Sequence, residues 1–244
     1  MSRPRNKTSA LSDLHANRIR RRVAARPQRR YYLVVTEDEK SSVFYLEALS
    51  ARLSPGVIQT APCLDVRGTG FNTKSLVNAV PGIKDRATLE LRRKTGSAVI
   101  SFDEIWVLFD KDSFPAPTFD NAIRSATAHK YNVAWSNECF ELWYLLHFKD
   151  VSSPLDRKRI YKELSRLFGV SHYEALKGDA GKRIHETMAG SPEICVAITR
   201  AKRLEAEAAA SGQPCSRRNP CTLVHKLVEP LLRFLPETEP LSKN

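Results

Sequence analysis

The stretch Tyr31-Tyr32-Leu33-Val34-Val35-Thr36-Glu37 decides the fold. Its first five residues are aromatic, β-branched or leucine, with no polar alternation, which spells a short strand buried on both faces. The strand runs into an acidic cluster, Glu37-Asp38-Glu39. Phe44, Tyr45, Leu46, Leu49 and Leu53 then recur at helical spacing, and Pro55-Gly56 closes that helix. A doubly buried strand followed at once by a helix is the opening of a βα unit.

The same alternation continues outward. A second strand is expected over Val57–Val66, followed by the loop Arg67-Gly68-Thr69-Gly70-Phe71-Asn72. That loop reads as a turn, because it lacks the Gly-Lys-Ser/Thr ending of a phosphate-binding loop. A helix starts near Thr73 and reaches about Arg93, with Leu76, Val77 and Val80 on one face. A third strand, Glu104–Phe109, ends in Asp110-Lys111-Asp112, and Pro115 and Pro117 are assigned to the loop behind it. A helix over 119–129, a fourth strand over Asn132–Trp135 and a very apolar helix over Phe140–Phe148 follow. Residues 31–150 are thus expected to form an α/β domain, a parallel sheet of about four strands flanked by helices. From about Pro154 only helical periods remain: Ile160/Leu164/Leu167, Ile184–Met188, Ile194–Ala210 and Thr222–Phe234. Residues 151–244 are therefore expected to be a helical C-terminal portion packed on the sheet domain, with Ser211–Pro220 as a polar linker inside it.

The charge balance is lopsided. The chain of 244 residues carries a formal net charge of +12, and residues 1–30 hold ten Arg and Lys against Asp13 alone. That segment reads as a basic arm without a packed core, with at most a short helix near Ala10–Ala25. Arg20, Arg21, Arg22, Arg29 and Arg30 are its candidate contacts to nucleic-acid phosphates. No run of about 18 apolar residues is present, which argues against a membrane span, and the basic N-terminus lacks the apolar segment of a secretory signal. Five cysteines without a CxxC pair argue against a disulfide framework or a zinc ribbon and fit a reducing, cytoplasmic setting.

Functional groups in open α/β sheets gather at the carboxyl ends of the strands. Here that edge collects Glu37, then Asp110 and Asp112, then Asn137 and Glu141. Carboxylates brought together repel, and a hard divalent cation, Mg²⁺ or Mn²⁺, removes the conflict. Glu141 lies in an otherwise apolar segment, where a charge is costly unless it faces the active edge or is paired. His147 and His172 lack partners at metal-ligand spacing, and Trp106, Trp135 and Trp143 read as core.

Leu33-Val34-Val35-Thr36-Glu37, Val107-Leu108-Phe109-Asp110-Lys111-Asp112 and the intervening βαβ pattern resemble the Toprim fold. More narrowly, Ser136-Asn137-Glu138-Cys139-Phe140-Glu141-Leu142-Trp143-Tyr144-Leu145-Leu146-His147-Phe148 and Asn219-Pro220-Cys221-Thr222-Leu223-Val224-His225 resemble the RloB family. The resemblance implies that Glu37 is a general acid or base or a metal ligand, and that Asp110 and Asp112 hold Mg²⁺. It implies support from Glu141 and Asn137, and basic positions at Lys177 and His225. It also implies nucleic acid as substrate, an anti-phage setting and an ATPase encoded nearby as partner. Where the family usually has Glu-Gly-Glu-Lys-Thr-Glu, this chain has Glu37-Asp38-Glu39-Lys40-Ser41-Ser42. The last carboxylate is lost at Ser42, which favours one ion over a pair. The usual Pro after Ser-Asn is Glu138, a candidate substitute carboxylate.

The expected activity is metal-dependent hydrolysis of phosphodiester bonds in DNA or RNA. A non-catalytic module that binds nucleic acid or an ATPase partner through a degraded metal site is the alternative. A haloacid-dehalogenase-like phosphatase is disfavoured, because its DxD follows the first core strand and precedes Gly-Thr, not Ser-Phe-Pro. Self-association into a homo-oligomer is left open.

Overall fold

The structure is a computed structural model that describes residues 29–53 and 61–235. Five strands make up one sheet: β1 (Tyr31–Thr36), β2 (Cys63–Gly68), β3 (Glu104–Asp110), β4 (Asn132–Asn137) and β5 (Cys221–Thr222). Their spatial order is β2-β1-β3-β4-β5. The first four run parallel, and β5 runs antiparallel to β4. Eight α-helices accompany them among the described residues: α1 (Ser41–Arg52), α2 (Thr73–Thr95), α3 (Ala116–Ala128), α4 (Glu141–Phe148), α5 (Arg157–Phe168), α6 (Lys182–Ala189), α7 (Ile194–Ala210) and α8 (Val224–Val228).

The α/β class and the parallel pairing agree with the sequence reading, but the sheet has five strands rather than four. The fifth lies where a helix beginning at Thr222 was expected. Two residues are too few for any period to register, so only the pairing reveals it. Ser136 and Asn137 face Thr222 and Cys221, and the Ser136 and Thr222 hydroxyls lie 2.8 Å apart. Three smaller boundaries also move. β2 begins at Cys63 and runs on to Gly68, while 57–60 lie outside the described residues. Pro117 sits in the first turn of α3 rather than in the loop, where its missing N–H leaves no bond unmade. The stretch read as a polar linker contains a 3₁₀ turn, Cys215–Arg217, held by Asp120, which accepts from Ser216 N at 3.0 Å and Ser216 Oγ at 2.7 Å. The expected helix near Ala10–Ala25 lies outside the described residues.

The strands are apolar without alternation because helices cover both faces. Tyr32 and Val34 of β1, Trp106 and Leu108 of β3, and Ala134 of β4 pack into one core with α1, α4, α5, α6, α7 and α8. Leu33, Val35, Val107, Phe109 and Trp135 point the other way, into a second core against α2 and α3. The α4 helix is apolar on nearly every side and lies within the first core, with Leu142, Trp143, Tyr144, Leu145 and Leu146 inaccessible to solvent. α2 is stopped at both ends by local chemistry. The Asn72 side chain accepts from Ser75 N at 3.0 Å, and Gly96 closes the last turn at φ 69° beyond Arg92, Arg93 and Lys94.

The order of strands positions the site. From β1 the chain moves to β2 on one side, then crosses to β3 on the other. The crossover opens a crevice between the carboxyl ends of β1 and β3, the place where open α/β sheets bind ligands. The loop after β2 closes one wall of it. Thr69 N and Thr69 Oγ1 both donate to Thr36 O, at 3.1 and 2.9 Å. Gly68 lies so close to the β1–α1 loop that a Cβ there would stand 2.9 Å from Asp38 O, Glu39 Cα and Val43 Cγ2. Gly68→Ala is expected to destabilise the fold by about 1–3 kcal/mol in chemical denaturation. Gly82→Ala, inside α2 with its nearest neighbour the far end of Arg86 at 3.8 Å, is expected to stabilise it by about 0.5–1 kcal/mol.

Candidate functional site

A cleft of about 350 Å³ opens at this crevice, lined among others by Glu37, Asp38, Asp110, Asp112, Arg157 and Lys177. Glu37 follows β1 and Asp110 ends β3, two strands paired in register up to Thr36 and Leu108. Glu37 Oε2 accepts from Thr73 Oγ1 at 3.0 Å and from Asp110 N at 3.4 Å. Burial outweighs these two bonds and pushes the Glu37 carboxyl up to about 7.

Asp38 turns its carboxylate onto the start of α1, where it accepts from Ser42 N at 3.0 Å, from Lys40 N at 3.3 Å and from the Ser42 hydroxyl. It does the work of an N-cap from two residues upstream of the assigned cap. Burial holds its carboxyl above the usual range, with the bonds from Ser42 pulling the other way.

The Asp110-Lys111-Asp112 turn is pinned to the strand beside it. Lys111 N donates to Ser136 O at 2.8 Å and Asp112 N to Glu138 O at 3.0 Å. Asp112 sits at φ 40°, a left-handed conformation that Asp tolerates better than most residues. Arg157, the first residue of α5, spans the two acids, with Nη1 3.2 Å from Asp112 Oδ2 and Nη2 3.6 Å from Asp110 Oδ2. Asp110 is pushed well above the normal carboxylate range by burial first and then by the charges of Glu141 and Asp38, although its side chain keeps 22% of its surface accessible.

Glu141 is 1% exposed at the start of α4. Burial pushes its carboxyl up, but Lys177, with Nζ at 2.8 Å, more than offsets that, helped by the Cys139 thiol, and holds it below the usual carboxylate range; the Ser41 hydroxyl also donates to it at 3.0 Å. The apolar segment therefore tolerates its charge because that charge is paired. Lys177 follows the 3₁₀ turn Tyr173–Leu176 and lies 4.7 Å over the Tyr161 ring.

Other expected site residues lie elsewhere. Asn137 donates its amide to Ser216 O at 3.1 Å and so ties down the 3₁₀ turn rather than lining the cleft. His225 is 2% exposed, with Nε2 3.0 Å from Glu205 and Nδ1 3.2 Å from Thr222 O, so neither ring nitrogen is open to a phosphate. Arg29 and Arg30 stand at the amino end of β1, the opposite end from the cleft. Arg29 donates to Ala61 O at 3.2 Å and Arg30 pairs with Glu104 at 2.6 Å. Arg20, Arg21 and Arg22 lie outside the described residues. Glu138 is partly buried and receives the Asn219 amide at 3.4 Å. No helix among the described residues is long and apolar enough to cross a membrane.

A family model described as RloB-like protein matches residues 32–231. The chain belongs to the RloB-like family. No curated protein and no solved structure matches it.

In this RloB-like protein five carboxyl groups, those of Glu37, Asp38, Asp110, Asp112 and Glu141, gather about a cleft whose lining holds two cations, Arg157 and Lys177. The donors are all hard oxygens, which fit Mg²⁺ or Mn²⁺ in kind. As the side chains stand, however, no three Asp, Glu, His or Cys residues among the described ones are grouped to hold an ion, and Arg157 bridges two of the acids instead. Glu37, Asp110 and Asp112 are the carboxylates at this crevice that could hold such an ion.

Two of the cleft residues escaped the sequence reading. Asp38 passed as a turn residue, and no capping pattern marks it in the sequence, since Lys40 rather than Asp38 stands at the cap position. Arg157 sits in the basic run Arg157-Lys158-Arg159, which reads as solvated surface.

The raised Glu37 carboxyl has a pH consequence. Between its unfolded value near 4.5 and about 7 the folded protein binds the extra proton, so stability is highest below that window and falls as pH rises through it. Glu37→Gln is therefore expected to raise the melting temperature at pH 8 and to leave it unchanged below pH 4.5, as read by thermal melts across that range.

Proposed function

We propose that this cleft hydrolyses phosphodiester bonds in DNA or RNA with Mg²⁺ or Mn²⁺, in the manner that the resemblance to the Toprim fold implies. The observation that carries the reading is the convergence of Glu37 and Asp110 at the crevice between β1 and β3, with the Glu37 carboxyl near neutrality. A group that titrates close to working pH is suited to take and return a proton. Thr73 and the Asp110 amide both donate to Glu37 Oε2, which orients the carboxyl and directs proton exchange to its other oxygen. When Glu37 is ionised it could join Asp110 and Asp112 as a donor, and the ion so held would supply Lewis acidity toward a phosphoryl oxygen.

The other residues bind and position. Lys177 and Arg157 place positive charge in the cleft lining, where a phosphate group would lie. Glu141, locked by Lys177 and Ser41, fixes where the ammonium points. The basic residues of the N-terminal arm add a sequence-blind attraction to the polyanion. The reading extends to the anti-phage setting and the ATPase partner that the family resemblance implies.

A second reading, a non-catalytic module, is favoured by one observation, the Arg157 bridge that already offsets part of the acidic charge. Incubation of the purified protein with labelled DNA and RNA, single- and double-stranded, in Mg²⁺ or Mn²⁺ separates the two. Cleavage is expected that stops in chelator, is abolished by Asp110→Asn, and falls by about 10²–10⁴-fold in Glu37→Gln. Cleavage that survives Asp110→Asn would overturn the proposal. Binding of nucleic acid without cleavage and without metal uptake would establish the module.

A further inference from the structure

We propose that Arg157 is an exchangeable counter-ion, holding Asp110 and Asp112 in the position that a divalent cation takes and giving way when the cation enters. The inference rests on the reading of the cleft as a divalent-metal site.

The bridge is loose. Charge-assisted N–H···O bonds from arginine are ordinarily about 2.7–2.9 Å. Here the two contacts are 3.2 and 3.6 Å, and they go to two different carboxylates rather than to the fork of one. The Nε of Arg157 is buried and has no partner among the described residues, so the guanidinium is not fully satisfied where it lies. Its place on the helix is also unfavourable. Arg157 is the first residue of α5, behind the Asp156 cap that accepts from Arg159 N at 2.7 Å, and the positive end of the helix dipole disfavours a cation there. The two acids are thus what keeps the guanidinium in place. About a third of the side chain, 34%, is accessible to solvent, which gives the guanidinium an open side to turn toward.

The other cation of the cleft is built differently. Lys177 meets a Glu141 side chain that is 2% exposed at 2.8 Å, and Ser41 adds a second bond to the same carboxylate. Opening that pair would strand a buried charge. One cation is therefore locked and one is replaceable. The replaceable one stands between the two acids that would share an ion.

The test is the affinity for Mn²⁺ alone, read from the electron paramagnetic resonance signal of the free ion, in the wild type, Arg157→Gln and Arg157→Lys. Arg157→Gln is expected to bind Mn²⁺ about tenfold tighter or more, because a competing charge is gone. In chelator it is expected to melt below the wild type, and Mn²⁺ is expected to raise its melting temperature by more than that of the wild type. An unchanged or weaker affinity in Arg157→Gln, with Mn²⁺ bound by the wild type, overturns the exchange and leaves the metal reading standing. Uptake by Arg157→Gln but not by the wild type shows that Arg157 does not give way, and overturns the exchange together with the metal-dependent activity. No uptake by either overturns both. Should Arg157→Gln not fold, Arg157→Lys decides, since an ammonium lacks the planar fork that sets one nitrogen against each carboxylate. It is expected to gain a few-fold in affinity, and equality with the wild type overturns the proposal.

Discussion

Carboxyl groups crowded at the crevice between β1 and β3 are the constraint on which the rest of the site depends. The parallel order of strands brings Glu37 and Asp110 together whether or not their charges agree. The loop after β1 adds Asp38 and the start of α4 adds Glu141. Left alone, such a cluster would repel itself and resist burial. The structure answers in three ways. Protons stay longer on Glu37, Asp38 and Asp110; serine and threonine hydroxyls donate to Glu37, Asp38 and Glu141; and Arg157 and Lys177 arrive from the C-terminal half.

The answers differ in permanence. Glu141, Lys177 and Ser41 form a buried, ionised set beside an α4 helix embedded in the larger core, and that set has little freedom. Glu37, Asp112 and Arg157 sit nearer solvent, where partners can change. The rigid half sets the geometry of the floor, and on the proposed function the accessible half is where an ion or phosphate would be met. Such a division gives a binding site definite shape without freezing its chemistry.

Much of this was legible in the chain itself, for physical reasons. Tyr31–Val35 and Ile105–Phe109 are apolar without alternation because helices cover both faces of the sheet, and their carboxyl ends point at Glu37 and Asp110. The cost of a charge in an apolar helix required Glu141 either to face the active edge or to be paired, and Lys177 pairs it. What stayed hidden depends on contacts between distant segments. β5 is two residues long and exists only because β4 offers it an edge. Arg157 looks like any surface arginine until α5 docks its first turn over the DxD loop. Asn137 and His225 carry polar groups that the family resemblance assigns to function, yet the fold spends them on tying the C-terminal turns to β4 and α7.

The pairing of β5 with β4 and the late position of Arg157 and Lys177 have one more consequence, concerning the order in which a ribosome releases the chain. All five acids precede both cations in the sequence. A nascent chain that has emerged only through α4 holds the acids without either offsetting cation and lacks the strand that closes the sheet. The cleft is thus completed last, and the N-terminal two-thirds cannot assemble it alone. On the proposed activity, vectorial synthesis would itself delay cleavage until Lys177 and β5 have emerged.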